Sequence, residues 1–407
     1  MYIISRLFYC ILFLSSHTLI RVYPWNDEQV QRLIGFNDPD NQIEILKATR
    51  GFNDSSDLLV PPEKMEFLNN FITSNKLHSQ VKTLNYGRRL ELSERSPRRR
   101  QMGNLIYQYN SYAVIESTIL RLAKQHPDLI QVQNLGNTYQ GKRMNLVKIS
   151  KNFKARNPII FIDAGIHARE WVAPAMALYL INRLVNDPEA RNRELNGIDW
   201  YILPVVNPDG YEFTRSAPEN RLWRKTMSLN QGCLGVDGNR NYGFKWAVSG
   251  VSRDPCNRET YAGPKPFSEP ETRYVGNIMM DNKDRIKLYV SLHSYGQYLV
   301  YPWGYTDKAV PLTWKKLDTL AHKVSNAVQR AGGMAFKVMM AGKWYPAAGG
   351  SDDYAFGAAG VPYSYTMELT DDHEFLYPEE LLINTLPKFY HGFRAMADHI
   401  REEFSRK

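Results

Sequence analysis

A histidine and a glutamate three residues apart, His167 and Glu170, lie in the run Phe161-Ile162-Asp163-Ala164-Gly165-Ile166-His167-Ala168-Arg169-Glu170-Trp171. One imidazole nitrogen and one carboxylate oxygen, carried on a turn just past a strand, can reach a single metal ion. Zinc sites that do chemistry commonly take three protein ligands and keep a fourth position open, and two His with one Glu form such a set. The spacing alone says little, because His399-Ile400-Arg401-Glu402 repeats it in a charged C-terminal stretch that reads as a solvated helix face. Context separates the two copies. Pro158 to Ile162 reads as a buried strand, Gly165 as a break, and Trp171 to Leu184 as an apolar-periodic helix.

Such a pair needs a third ligand, a base and a substrate clamp. In open α/β sheets ligands gather outside the C-terminal ends of the strands, so the residue after each apolar run is the one to read. His293 follows Ile286 to Leu292, Glu368 follows Tyr363 to Met367, and the turn Asn207-Pro208-Asp209-Gly210 follows Asp199 to Val206. Alone, either would read as an ordinary strand end, hydrogen-bonded or salt-bridged. Beside a metal, His293 is the natural third ligand and Glu368 the natural general base. Arg221, Arg224, Asn239, Arg240 and Asn241 cluster in one long segment, and arginine is the side chain that grips a carboxylate bidentately. Tyr345 to Tyr354 reads as a second ordered loop before a helix, where Ser351 and Asp352 are also good cap residues.

The elements that must position these groups come from the whole chain of 407 residues, 43% of them hydrophobic, enough for two or three domains. Residues 1–19 read as a secretory signal, with Arg6 as the positive end, Leu7 to Leu14 as the apolar core and Ser15-Ser16 near a cut. Eight apolar residues are too few to span a bilayer, which needs roughly 20. No later segment is long and apolar enough for a span, so a secreted, extracellular product is expected. Outside the signal, which holds Cys10, only Cys233 and Cys256 remain; in an oxidising compartment one disulfide is expected, with two buried thiols as the alternative.

Residues 20–100 read as a small α+β domain, with a helix start at Asn26, a strand from Gln42 to Lys47, a helix from Pro62 to Lys76 and a strand from Val81 to Leu84. Asn53-Asp54-Ser55 matches a glycan acceptor. The run Arg95-Ser96-Pro97-Arg98-Arg99-Arg100 then reads as an exposed cleavage loop. It also holds much of the net charge of +9, which weakens the case for a nucleic-acid partner. Residues 101–407 alternate strands and helices, which implies an α/β fold: a mixed, largely parallel sheet with helices on both faces.

The chain resembles the zymogens of the pancreatic-type zinc metallocarboxypeptidases, and among them the B type. The resemblance covers the whole chain and rests on His-Ala-Arg-Glu-Trp at 167–171, Asn-Pro-Asp-Gly-Tyr at 207–211, Leu-Trp-Arg-Lys at 222–225, Val-Asp-Gly-Asn-Arg-Asn at 236–241, the stretch 261–272, His293-Ser294-Tyr295, the 345–353 loop and Thr366-Met367-Glu368-Leu369. It implies a signal, an activation domain over 20–100 that inhibits its own enzyme, a trypsin-like or furin-like activating protease, and a catalytic domain over 101–407. It also implies one zinc ion per chain on His167, Glu170 and His293, with Glu368 as base and Arg224 polarising the scissile carbonyl. Arg169 and Tyr295 would line the substrate groove, Asn239, Arg240 and Tyr345 would hold the terminal carboxylate, and Cys233 would pair with Cys256. Asp352 falls at the pocket-floor position that is acidic in the B type and apolar in the A type, so release of C-terminal Lys or Arg from peptides and proteins is expected. An A-type preference for aromatic or aliphatic termini is the alternative within enzymes, and a non-catalytic binding protein the alternative outside them. Two departures stand out: Thr370-Asp371-Asp372 replaces the family's usual Arg-Asp after Glu-Leu, and Met340 to Trp344 makes a bulkier pocket wall that carries Lys343.

Overall fold

The structure is a computed structural model that describes residues 16–36, 42–49, 54–95, 105–370 and 374–404. Most of the signal segment, Asn53 of the glycan motif, the Arg98 to Arg100 run and the Asp371-Asp372 departure lie outside the described residues. The chain forms two compact units, 1–100 with the short segment 216–221, and 101–215 with 222–407. Among the described residues no helix is long and apolar enough to cross a membrane.

The first unit is an antiparallel sheet of β1 (Thr18–Tyr23), β2 (Glu44–Lys47), β3 (Ser56–Val60) and β4 (His78–Thr83) in the order β2-β3-β1-β4. Three helices accompany it: α1 (Asp27–Ile34), α2 (Met65–Ser74) and α3 (Tyr86–Arg95). Helix α1 is capped by Asn26, whose side chain accepts from the Gln29 amide. In α2, Leu68 and Ile72 face the core with Ile20, Val22, Leu58 and Val60, whereas Phe67 is largely exposed. The α+β expectation therefore holds. Thr18 and Leu19 pair with Val60 and Leu59, so β1 begins within the last residues read as the signal. Strand β3 escaped the sequence reading because all five of its residues are buried, so it carries no alternation.

The second unit holds an eight-stranded sheet. Its strands are β5 (Ile130–Asn137), β6 (Arg143–Ile149), β7 (Ile159–Ala164), β8 (Asp199–Leu203), β11 (Ile286–Ser294), β12 (Tyr298–Tyr301), β13 (Lys337–Met340) and β14 (Tyr363–Leu369). β9 (Leu229–Asn230) and β10 (Cys233–Leu234) form a separate small hairpin. The sheet order is β13-β12-β14-β11-β7-β8-β6-β5, with the four central strands β14, β11, β7 and β8 parallel. Antiparallel neighbours join at both flanks, so the sheet is mixed and parallel at its centre, as expected.

Helices cover both faces. On one side α4 (Tyr112–Gln125), α5 (Val172–Asn186), α9 (Trp314–Arg330) and α12 (Leu382–Phe404) bury Ile160, Ile162, Leu288, Val290 and Leu292. On the other, α8 (Pro270–Asp281) and α11 (Ser351–Gly357) cover Ile159, Phe161, Ile286 and Tyr289. The remaining helices, α6 (Pro188–Arg193), α7 (Pro208–Thr214) and α10 (Ala341–Trp344), are short. The period-two split of β7 between the two cores is what a sheet buried on both faces requires, and it explains why Ile159 to Ile162 reads as a continuous apolar run; β11 follows the same alternation from Leu288 on, after a register shift.

Candidate metal centre and active site

Three strand ends build the site. Strand β7 stops at Ala164, and the chain turns at Gly165, whose φ is +67°; a Cβ there would lie 2.9 Å from Pro174 Cγ. This turn delivers His167 and Glu170, both buried, to the C-terminal edge of the parallel strands. Strands β11 and β14 run in register there, with His293 beside Glu368. Both residues lie inside their strands rather than just after them, since β11 continues to Ser294 and β14 to Leu369.

The ligand atoms converge. His167 Nδ1 lies 2.8 Å from Glu170 Oε1, His293 Nδ1 lies 3.0 Å from Glu170 Oε2, and the two Nδ1 atoms are 3.1 Å apart. The other ring nitrogens are held from behind. Asp237 Oδ1 accepts from His167 Nε2 at 3.0 Å. Tyr289 Oη and Ser291 Oγ both donate to the buried Asp163, at 2.6 and 2.7 Å, so Ser291 Oγ is free to accept from His293 Nε2 at 3.1 Å. These contacts put both protons on Nε2 and leave both Nδ1 lone pairs facing the same point, an arrangement typical of oriented metal-ligating imidazoles.

Whether a metal suits this set can be judged from its electrostatics. Two lone pairs and a carboxylate in contact repel unless a positive charge lies among them. Burial would raise the Glu170 carboxyl, but the two imidazoles beside it hold it well below the ordinary range. Burial likewise works against charge on His293, yet Glu170, Glu368 and Asp163 raise it to about 9. The cluster therefore demands a cation, and two nitrogens with one carboxylate oxygen is a donor set that fits zinc.

Arg224 stands beside the triad. Its Nη2 and Nε donate to Asp237 Oδ2 at 2.9 and 3.2 Å, Nε also donates to the Glu259 carbonyl at 2.9 Å, and Nη1 is 4.0 Å from Glu170 Oε1. Asp237 thus bridges His167 and Arg224. Burial would raise its carboxyl, but Arg224, His167 and Arg240 hold it well below the usual carboxylate range. The sequence reading quoted Asp237 within a motif without giving it a task, because nothing local shows a contact spanning 70 residues. Removing it in Asp237→Ala is expected to weaken zinc affinity by about 10–100-fold in a chelator competition titration. Unchanged affinity would leave Asp237 as a support for Arg224 alone.

The triad opens onto a cleft of about 490 Å³, solvent included, whose wall holds His167, His293, Glu368, Arg224, Asn239, Arg240, Tyr345 and Asp352. Arg240 is fixed by bonds to the carbonyls of Gly250 and Asn239 at 3.1 and 2.9 Å, and its Nη2 reaches Tyr345 Oη at 3.4 Å. Gly349, at φ +78°, packs so closely on it that a Cβ would lie 2.3 Å from the Arg240 carbonyl oxygen. Asn239 Oδ1 accepts from the Ser351 amide at 3.0 Å. The paired carboxylates that follow are split in their tasks. Asp353 accepts from the amides of Gly304 and Tyr305, both at 2.8 Å, whereas Asp352 belongs to the cleft wall. Burial pushes the Asp352 carboxyl up, opposed by nearby backbone amides, His293 and Arg240.

Two expected groove residues lie together beside this cleft's lining. Arg169 is buried, in a bidentate pair with Glu259 at 2.9 and 2.6 Å, and its guanidinium lies 4.2 Å from the Phe375 ring centroid. Tyr295 packs edge-on against the same Phe375 at 5.0 Å. The residues lining the cleft around the triad do not include either of them. Lys343 is exposed and Met340 joins the core, so only Ala341, Trp344 and Tyr345 of that segment face the cleft.

Cys233 and Cys256 are joined in a disulfide with Cα atoms 5.1 Å apart, as expected. The loop is tied a second time by the buried Lys225, whose Nζ donates to the carbonyls of Pro255 and Asn257 at 3.0 and 2.8 Å.

The comparisons with known proteins agree with this geometry. Residues 115–392 match the zinc carboxypeptidase family, and residues 20–92 match the carboxypeptidase activation peptide. Carboxypeptidase B of Astacus astacus is 40% identical over 73% of this chain and 98% of its own length. Carboxypeptidase B of Rattus norvegicus is 35% identical over 91% of this chain and 88% of its own. The crystal structure of carboxypeptidase A from Helicoverpa armigera superposes with a TM-score of 0.86 at 27% identity, covering 94% of this chain and 98% of that one. The chain therefore belongs to the zinc carboxypeptidase family, as a metallocarboxypeptidase that carries its activation peptide ahead of the catalytic unit.

Proposed function

We propose that this chain is a secreted zymogen whose catalytic unit hydrolyses the last peptide bond of peptides and proteins that end in Lys or Arg. The observation that carries the specificity is Asp352, a buried carboxylate in the wall of the same cleft as the metal triad. In this reading Arg240 and Asn239 grip the terminal carboxylate and Tyr345 closes over it. The departing side chain then runs past Val300, Ala341 and Thr366 toward Asp352.

One zinc ion, when bound to His167, Glu170 and His293, supplies Lewis acidity toward water and the scissile carbonyl. Glu368 takes the proton of the attacking water and hands it to the departing amine. Arg224 faces the oxygen on which negative charge develops, and Asp237 with the Glu259 carbonyl keeps its guanidinium in place, so little reorganisation is needed during reaction.

A buried carboxylate must meet a cation or bear a desolvation cost of up to a few kcal/mol. Terminal Lys or Arg supplies that cation; terminal Phe does not. Matched peptides ending in Lys, Arg, Phe and Leu should differ by on the order of 100-fold in kcat/KM in favour of the basic pair. Asp352→Ile should erase that preference. Release of Phe or Leu as fast as Lys by the unaltered enzyme would overturn the reading, and would align the chain with the A-type relatives found beside the B-type ones.

Latency follows from the activation peptide. The Arg95 to Arg100 run is the proposed cut, made by a trypsin-like or furin-like protease. Cleavage there is expected to raise turnover of large peptides, measured on the same preparation before and after limited proteolysis. Equal rates in the two samples would remove the inhibitory role of residues 20–100.

A further inference from the structure

Among the wall residues that neither the catalytic reading nor the carboxylate clamp uses, Trp344 is the one aromatic. Trp344 is 7% exposed and lies on the short helix α10, next to Tyr345. Its indole stacks on the Tyr298 ring, with centroids 5.1 Å apart and planes 28° apart, and leans against Tyr345 at 5.3 Å and 44°. Tyr298 is fixed in turn by β12 and by Lys337, whose Nζ reaches its hydroxyl at 3.3 Å. Tyr298 is not in the cleft wall and Trp344 is, so the indole forms the layer between Tyr298 and the cleft. Val300, Ala341 and Thr366 line the same cavity, and Asp352 is its buried carboxylate. Besides the polar groups of the metal site and the carboxylate clamp, the wall thus offers one further carboxylate, one hydroxyl and several apolar groups, with one large aromatic held against Tyr298.

We propose that Trp344 makes this enzyme select terminal arginine over terminal lysine. The proposal rests on the basic-terminus reading and deepens it. An ammonium is a compact, strongly hydrated charge with three donors. Beside Trp344 it would find the Asp352 carboxylate and the Thr366 hydroxyl, and would lose hydration against Val300, Ala341 and the indole. A guanidinium is planar and more weakly hydrated, can direct two N–H groups at one carboxylate, and can lay its face on an aromatic ring. Tryptophan is the best aromatic partner for a cation, and the contact gains strength where water is excluded. The stacking on Tyr298 also holds the indole in place before substrate arrives, which limits the ordering cost of binding.

The test uses the mature enzyme and four matched peptides that end in Arg, Lys, citrulline or Phe. Citrulline keeps the planar shape of arginine without its charge. For the unaltered enzyme we expect kcat/KM for Arg to exceed that for Lys by about 10-fold. In Trp344→Leu the Arg:Lys ratio should fall to within about 2-fold, and in Trp344→Phe, which keeps an aromatic face and most of the packing on Tyr298, it should fall between the two. An Arg:Lys ratio near one in the unaltered enzyme overturns the proposal and leaves the basic-terminus reading standing. So does a Trp344→Leu variant that loses Arg and Lys turnover in equal measure, which would make the indole a simple filler of the wall. Citrulline or Phe released as fast as Arg defeats the basic-terminus reading itself, and the proposal with it.

Discussion

Glu368→Gln is expected to lower kcat by at least about 100-fold while substrate affinity is largely kept. The substitution preserves shape and hydrogen-bonding capacity but removes the group that accepts a proton. Glu368 is placed for that role by the sheet itself. Parallel pairing of β11 and β14 puts it beside His293, and it lines the cleft together with Arg224. Its other neighbour is Tyr298, across the antiparallel pair with β12, so the strand is held from both sides and the amide variant should not shift the backbone. Steady-state kinetics on one good substrate, with inhibitor binding measured separately, checks this. A variant that loses binding but keeps kcat would show that Glu368 shapes the cleft rather than moves protons.

Removal of zinc should have the largest effect, because the proposed reaction needs it and the His167, Glu170 and His293 cluster packs donor atoms around one point. Metal analysis of the mature enzyme is expected to find about one zinc per chain. Chelation should reduce turnover to the background of the assay, and added zinc should restore it. The same treatment should lower the midpoint of thermal unfolding, since a ligand that binds only the native state stabilises it by mass action. The structural cause is the close approach of His167 Nδ1, His293 Nδ1 and Glu170, whose like-signed atoms are left facing one another when no cation lies among them. A metal-free preparation with undiminished turnover would remove zinc from the reaction, and an unchanged melting midpoint would remove the linkage to folding.

The sequence by itself determined the frame of the site. Strand β7 is buried on both faces and reads as an unbroken apolar run from Ile159 to Ile162, while β11 and β14 read as mostly apolar runs broken by Lys287, Ser291, Ser364 and Thr366; the polar residue that closes each run lies at the sheet edge. That is why His293 and Glu368 could be read as site residues, and why the Gly165 turn marked out His167 and Glu170. The pair of cysteines left outside the signal was legible for a similar reason: few arrangements were open to it.

Tertiary structure decided the rest. Strands β12 and β13 have four residues each, too short to show a period; β14 offers the edge to which β12 pairs, and β12 in turn offers one to β13. Asp237 became a partner of His167 only when distant segments met, since no local pattern records a contact across 70 residues. Arg169 and Tyr295 sit in separate motifs that suggest a groove, and only the fold brings both to Phe375 and pairs Arg169 with Glu259. Lys343 and Trp344 are adjacent in the chain, but a helical residue advances by about 100° over its neighbour, and on α10 that rotation sends the ammonium to solvent and the indole into the cleft wall. Composition could name both residues; only the packing of α10 against Tyr298 could say which of them meets the substrate side.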